Sequence, residues 1–146
     1  MKAAIMAGGF GKRLHPLTIN LPKPLVPVCS KPIMRYVIDL LKKHGISEAV
    51  VMLYHQPNSI KDYFGDGEKF GIKLDYLIPD KDLGTAGAVK YAEKSLNETF
   101  VVISADIISN MDLGEAIKFH KEKNALATMI LAKVKNPLEY GIVITG

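Results

Sequence analysis

The 146-residue chain has no tryptophan and one cysteine, Cys29. A lone cysteine excludes a disulfide-stapled secreted scaffold, and nothing points to an oxidising compartment. No run of about 18 apolar residues occurs, which excludes a spanning helix of ordinary length. The N-terminal run in MKAAIMAGGF breaks at Gly8, too early for a secretory signal, and no cleavage site follows. These absences lead to the expectation of a cytoplasmic protein with no membrane partner. Aromatic residues make up 8%, and no RNP1-like stacking motif, zinc knuckle or helix-turn-helix pattern accompanies them. No nucleic-acid partner is therefore expected. His15, His44, His55 and His120 share no ligand spacing with each other or with Cys29, which argues against zinc. No serine sits in a nucleophile elbow. Cys29 reads as a small buried hydrophobe.

What is present is an ordinary globular composition, 48% hydrophobic and 23% charged, of a length that suits one domain over 1–146. The net charge of +4 conceals an asymmetry. Residues 1–45 hold eight Lys or Arg and one acid, Asp39, for +7, whereas the other 101 residues carry −3. Basic charge gathered at one end suits a polyanion, and a small phosphorylated ligand fits best here.

Strand-like and helix-like segments alternate. Lys2–Met6, Ala49–Leu53, Lys73–Ile78 and Phe100–Ser104 read as strands. Ile33–His44, Ser59–Phe64, Ala86–Lys94 and Leu113–Lys123 read as helices, the first stopped by Gly45 and the last capped by Asp112. Two more strands are expected at Ala127–Val134 and Gly141–Thr145. This order predicts an α/β fold, Rossmann-like and doubly wound, with a mainly parallel sheet and helices on both faces. Five of the eight prolines fall between Pro16 and Pro32, so that stretch is read as a structured, functional connector without helix.

Four motifs carry chemistry. Ala7-Gly8-Gly9-Phe10-Gly11-Lys12-Arg13-Leu14 follows the first strand, where missing Cβ atoms let a backbone N–H nest approach an anion. It is neither a Walker A loop, because Arg13 follows Lys12, nor a dinucleotide fingerprint, because Leu14 stands where glycine is required. Leu21-Pro22-Lys23-Pro24-Leu25-Val26-Pro27 frames Lys23 with prolines, and the bias of a residue before proline places Lys23 on a stiff extended ribbon. Asp106 follows the strand Phe100–Ser104, where doubly wound sheets bind ligands and where a carboxylate could hold Mg²⁺. Leu83-Gly84-Thr85-Ala86-Gly87-Ala88 opens a helix with residues small enough to admit a base or ribose. Taken singly, each motif also has a plain structural reading: a flexible turn, a surface loop, a turn aspartate, a packing cap.

In succession the motifs resemble the sugar nucleotidyltransferase family: Gly-Gly-x-Gly-x-Arg-Leu-x-Pro-Leu-Thr at 8–18, Pro-Lys-Pro-Leu-Val-Pro-Val at 22–28, Lys-Pro-Ile at 31–33, Leu-Gly-Thr-Ala-Gly-Ala at 83–88, Asp106 and Tyr140-Gly141. The resemblance runs from Lys2 to Thr145 and looks closest to the mannose-1-phosphate guanylyltransferases, through residues 83–88 and Ala-Leu-Ala-Thr at 125–128. It implies transfer of a nucleotidyl group from a nucleoside triphosphate to a sugar 1-phosphate, with Mg²⁺ as cofactor. GTP with mannose 1-phosphate comes first, and glucose 1-phosphate with dTTP or UTP, or a non-catalytic nucleotide-binding module, are the alternatives. By the same resemblance Gly8, Gly9, Gly11 and Arg13 grip the triphosphate, and Lys23 bridges the α-phosphate and the attacking sugar phosphate. Gly84 and Thr85 contact the nucleoside, Asp106 holds the metal and Gly141 touches the sugar. Asp80 or Asp82 could accept from guanine. Ala105 replaces the glycine usual before the metal aspartate. The family's domain continues past 146 residues, so the chain is expected to be the truncated, nucleotide-binding half of a catalytic domain and to self-associate as a homo-oligomer.

Overall fold

The computed structural model describes residues 1–136, 138 and 140–144. These divide into two compact units, Met1–Met111 and Asp112–Gly146, described separately.

In the first unit, β1 (Ala3–Met6) is followed by the two-stranded ribbon β2 (Pro27–Val28) and β3 (Lys31–Pro32), then α1 (Ile33–Lys43) and β4 (Glu48–Met52). Next come α2 (Pro57–Phe64), β5 (Lys73–Leu77), α3 (Gly84–Tyr91) and β6 (Val101–Ser104). Four strands form a parallel sheet in the order β5-β4-β1-β6. Short apolar runs such as Ala-Ala-Ile-Met suit strands covered on both faces, and the core of the sheet is buried on both: Ala3, Ala4 and Ile5 are fully enclosed. Crossovers between parallel strands are right-handed. Because β1, β4 and β5 progress one way and β6 returns to the other side of β1, α1 and α2 fall on one face and α3 on the other. The α3 face packs Ala92 and Leu96 against Ala4, Val50 and Met52. On the opposite side the apolar stripe of α1 (Met34, Val37, Ile38, Leu41) and Ile60 and Phe64 of α2 are fully buried.

The expected strands and helices of this unit form with ends moved by one to three residues. α2 starts two residues earlier than expected because Pro57 suits the first helical turn. α3 also starts two residues early and ends at Tyr91, where a separate 3-10 turn, Glu93–Ser95, takes over. The proline-rich connector holds a 3-10 turn at Lys23–Leu25 and the β2-β3 ribbon. Lys23 therefore opens a tight turn and not an extended ribbon. Hydrogen bonds from Leu25 N to Pro22 O (2.8 Å) and from Val26 N to Lys23 O (3.1 Å) outweigh the bias imposed by the following proline. Cys29 is exposed, not buried: it and Ser30 form the two-residue tip of the ribbon, with φ of 49° and 61°, as a primed hairpin turn requires. The ribbon is tied to α1 by the ion pair of Lys31 with Asp39, which also pairs with Arg35 one turn back on the helix.

The second unit holds α4 (Leu113–Glu122), capped by Asp112, whose Oδ1 accepts from Glu115 N at 3.0 Å. The strands expected at Ala127–Val134 and Gly141–Thr145 do not form over 127–134 and 141–144, and Thr145 lies outside the described residues. A strand exists only where its N–H and C=O groups meet a neighbouring ladder, and no strand pairs with these segments among the described residues. Leu126, Ile130, Leu131, Ile142 and Ile144 are accordingly exposed.

Phe64 is fully enclosed with Tyr63 and Phe70 at centroid distances of 4.8 and 5.2 Å. Phe64→Ala should cost about 3–5 kcal/mol in chemical denaturation, and the partly exposed neighbour Tyr63→Ala much less. Equal losses would contradict this placement of the core.

Candidate functional site

β1 is the strand at which the winding reverses, between β4 and β6. In such sheets the loops leaving the carboxyl ends of the strands on either side of the reversal diverge and leave a crevice. Backbone bonds carry the ladder one residue beyond the strands: Ala7 N donates to Met52 O and Ala105 N to Met6 O, both at 2.9 Å. The glycine loop after β1 and the Asp106 loop after β6 thus leave the sheet side by side.

A cavity of about 320 Å³ opens there, a size within the range of small-molecule sites. Its walls include Gly8 and Gly9 after β1, Lys23 and Pro24 from the connector, and Tyr54 after β4. Pro79 and Asp82 line it between β5 and α3, Gly84 and Thr85 at the start of α3, and Ser104, Ala105 and Asp106 at the end of β6. Gly8 lets the loop pass close to Tyr54: a Cβ there would lie 3.1 Å from Tyr54 Cβ, a tight contact. Phe10, at the exposed tip of the glycine loop, rests on Tyr54 and His55 at 5.9 and 5.0 Å between ring centroids.

Lys23 Nζ donates to Asp106 Oδ2 at 2.5 Å, and Ser104 Oγ donates to Asp106 Oδ1. The partners of the first pair lie 83 residues apart in sequence. Burial alone pushes the Asp106 carboxyl up, but hydrogen bonds from Lys23 and Ser104 and the lysine charge outweigh it and hold the group below its ordinary value. An ionised Asp106 therefore adds stability above the unfolded carboxylate value of about 3.9, and that contribution is lost as pH falls through the lowered folded value. Asp106 also has the donor chemistry for Mg²⁺, which takes oxygen ligands, commonly one or two carboxylates completed by substrate phosphates. No group of three or more His, Cys, Asp or Glu side chains gathers among the described residues, so any such ion would take part of its shell from the ligand.

Of the residues singled out from sequence, the cavity brings together Gly8, Gly9, Lys23, Gly84, Thr85 and Asp106. Gly11 is not in its wall but packs behind Lys23, and Arg13 is exposed on the 3-10 turn Lys12–Leu14. Gly141 belongs to the second unit and is exposed. Asp82, not Asp80, lines the cavity, and its Oδ1 accepts from Gly84 N at 2.9 Å, which fixes the entry to α3. Sequence reasoning missed Tyr54, Pro79 and Ser104. Tyr54 and Ser104 lie at the carboxyl ends of their strands, a position that marks them as candidates in any doubly wound sheet.

The model of the nucleotidyl transferase family matches residues 2–146. A UTP–glucose-1-phosphate uridylyltransferase of Synechocystis sp. is 37% identical over 159 residues, covering 99% of this chain and 41% of its own length. Mannose-1-phosphate guanylyltransferase 1 of Arabidopsis thaliana is 39% identical over 149 residues, with the same two coverages. The chain thus spans about two-fifths of the length of the curated relatives it matches. Among solved structures, HddC of Yersinia pseudotuberculosis complexed with GMP-PN superposes with a TM-score of 0.73 at 29% identity, covering 82% of this chain and 53% of that one.

Replacing Lys23 by Met removes the charge and the hydrogen bond that counter burial at Asp106. The carboxyl should then titrate higher than in the unsubstituted chain, as read by carboxylate NMR on metal-free protein. An unchanged value would show that Lys23 does not contribute to it.

Proposed function

Because the chain belongs to the nucleotidyl transferase family, we propose that it forms the nucleotide-binding part of a sugar-1-phosphate nucleotidyltransferase. One observation carries the reading. A lysine and an aspartate from distant segments meet at the reversal point of the sheet, between a glycine loop on one wall and Gly84-Thr85 at a helix start on the other.

The backbone N–H groups of Gly8 and Gly9 would receive the triphosphate, and Gly84 and Thr85 the nucleoside. Gly11 would shape the turn behind the loop, and Arg13 would add a guanidinium to the phosphates. An oxygen of the sugar phosphate attacks the α-phosphorus in line, a new P–O bond forms, and the bond to the bridging oxygen breaks to release pyrophosphate. The attacking phosphate is already anionic, so no general base is needed. Lys23 would hold its ammonium between the α-phosphate and the incoming phosphate and neutralise charge as it develops. Stabilisation of this kind supplies most of the catalysis in such transfers. Asp106 would hold Mg²⁺, which neutralises phosphate charge when bound. Gly141 would contact the sugar in the whole protein.

GTP and mannose 1-phosphate are the substrates we propose, on the likeness of residues 83–88 and 125–128 to the guanylyltransferases. The 37% identity to a uridylyltransferase favours UTP, or dTTP, with glucose 1-phosphate as the second reading. We assign the protein to the cytoplasm; no helix among the described residues is long and apolar enough to cross a membrane. Self-association is supported by the exposed apolar side chains of 126–144 and is read by sedimentation, where a strict monomer would contradict it.

Calorimetric titration with GTP, UTP and dTTP tests the reading. At least one should bind, more tightly with Mg²⁺, and the isosteric Asp106→Asn should remove the Mg²⁺ dependence while leaving the fold intact. In a chain that turns over, Arg13→Ala and Lys23→Ala should each lower the rate a hundredfold or more, corresponding to roughly 3 kcal/mol, with smaller effects on binding. Binding of none of the three nucleotides would overturn the reading.

A further inference from the structure

We infer that Thr18 is a positioning residue that sets the phosphate-facing side of the cavity; the inference rests on the nucleotide reading above. Thr18 is 1% exposed and is the one buried polar or charged residue among the described residues. A buried hydroxyl needs a partner, and its Oγ1 donates to Gly11 O at 2.8 Å. The same carbonyl accepts from Leu14 N at 2.9 Å, so both of its lone-pair directions are used.

The contact is steric as well as polar. Gly11 has φ of +65°, and a Cβ built on it would lie 3.1 Å from Thr18 Cγ2 and 3.3 Å from Lys23 Cβ. Gly11 therefore packs closely against both Thr18 and the root of the lysine that reaches Asp106. With its hydroxyl Thr18 fixes the direction of the Gly11 peptide, and with its methyl it fixes the distance from the loop to Lys23. The 16–20 turn that carries Thr18 is itself anchored, because Gln56 Nε2, just before α2, donates to Ile19 O at 3.2 Å. Three successive segments, the glycine loop, the 16–20 turn and Lys23, are thus held in one arrangement before any ligand arrives. An anion nest works only if its N–H groups converge beforehand; otherwise the ligand must supply the ordering, and affinity falls.

The role assigned to Thr18 concerns the phosphates and not the nucleoside, which gives a readout that a general loss of stability would not reproduce. Binding of GTP, UTP and dTTP, each with Mg²⁺, is compared with that of guanosine, uridine and thymidine. Thr18→Val keeps the shape and removes the hydroxyl; it should weaken the bound triphosphate about tenfold and leave the matching nucleoside within about twofold. Thr18→Ser keeps the hydroxyl and should stay within about threefold for both. If the valine variant does not fold, Thr18→Ala, which adds no bulk, carries the same comparison. Triphosphate binding unchanged in the valine or alanine variant, or equal losses for triphosphate and nucleoside, would overturn the role of Thr18 alone. No binding of any triphosphate by the unsubstituted chain would overturn the nucleotide reading and this inference with it.

Discussion

The constraint on which the site depends is that β1 pairs on both sides. Ala3–Met6 is in register with Ala49–Met52 on one edge and with Val101–Ser104 on the other, so three carboxyl ends finish at the same level. Everything chemical in the first unit is then a loop leaving that level. Had β6 been added beyond β5, two strands would separate Asp106 from the glycine loop, and it could not meet Lys23. The reversal of winding makes the crevice, and the crevice selects which polar residues face each other.

Within it, charge is arranged before a ligand is present. Lys23 and Asp106 satisfy each other across a part-buried gap, each limiting what isolation would cost the other. A phosphate entering the cavity would compete for the lysine, and a divalent cation for the carboxylate. The resting ion pair therefore keeps the carboxyl ionised and the lysine beside it, at a position set by the tight turn of Pro22–Val26 and the end of β6.

Much of this was legible in the sequence, for identifiable reasons. Buried parallel strands are short apolar runs, and α1 announces itself by the 3,4 spacing of Ile33, Tyr36, Val37, Leu40 and Leu41. Glycines and prolines marked the loops because those residues restrict backbone geometry most. Cys29 was misread because small thiols usually lie inside; the hairpin tip could be recognised only once Val28 and Lys31 were paired. The strands expected at 127–134 and 141–145 failed for a related reason, since apolar pattern gives a strand its faces but not its partner. Thr18 closes the 8–18 motif and Tyr54 follows a strand, but neither position discloses a role, which lies in what the fold brings against them: Gly11 in one case, Gly8 and Phe10 in the other.

The central claim is that the carboxyl-end cavity of the first unit receives a nucleoside triphosphate. Amide NMR footprinting of the chain with GTP, UTP and dTTP in the presence of Mg²⁺ addresses it most directly. The account predicts that the largest perturbations fall on Gly8, Gly9, Gly84, Thr85 and Asp106. Perturbations centred instead on the basic and aromatic surface of Lys31, Arg35, Lys69 and Phe70, with the cavity amides unmoved, would contradict it.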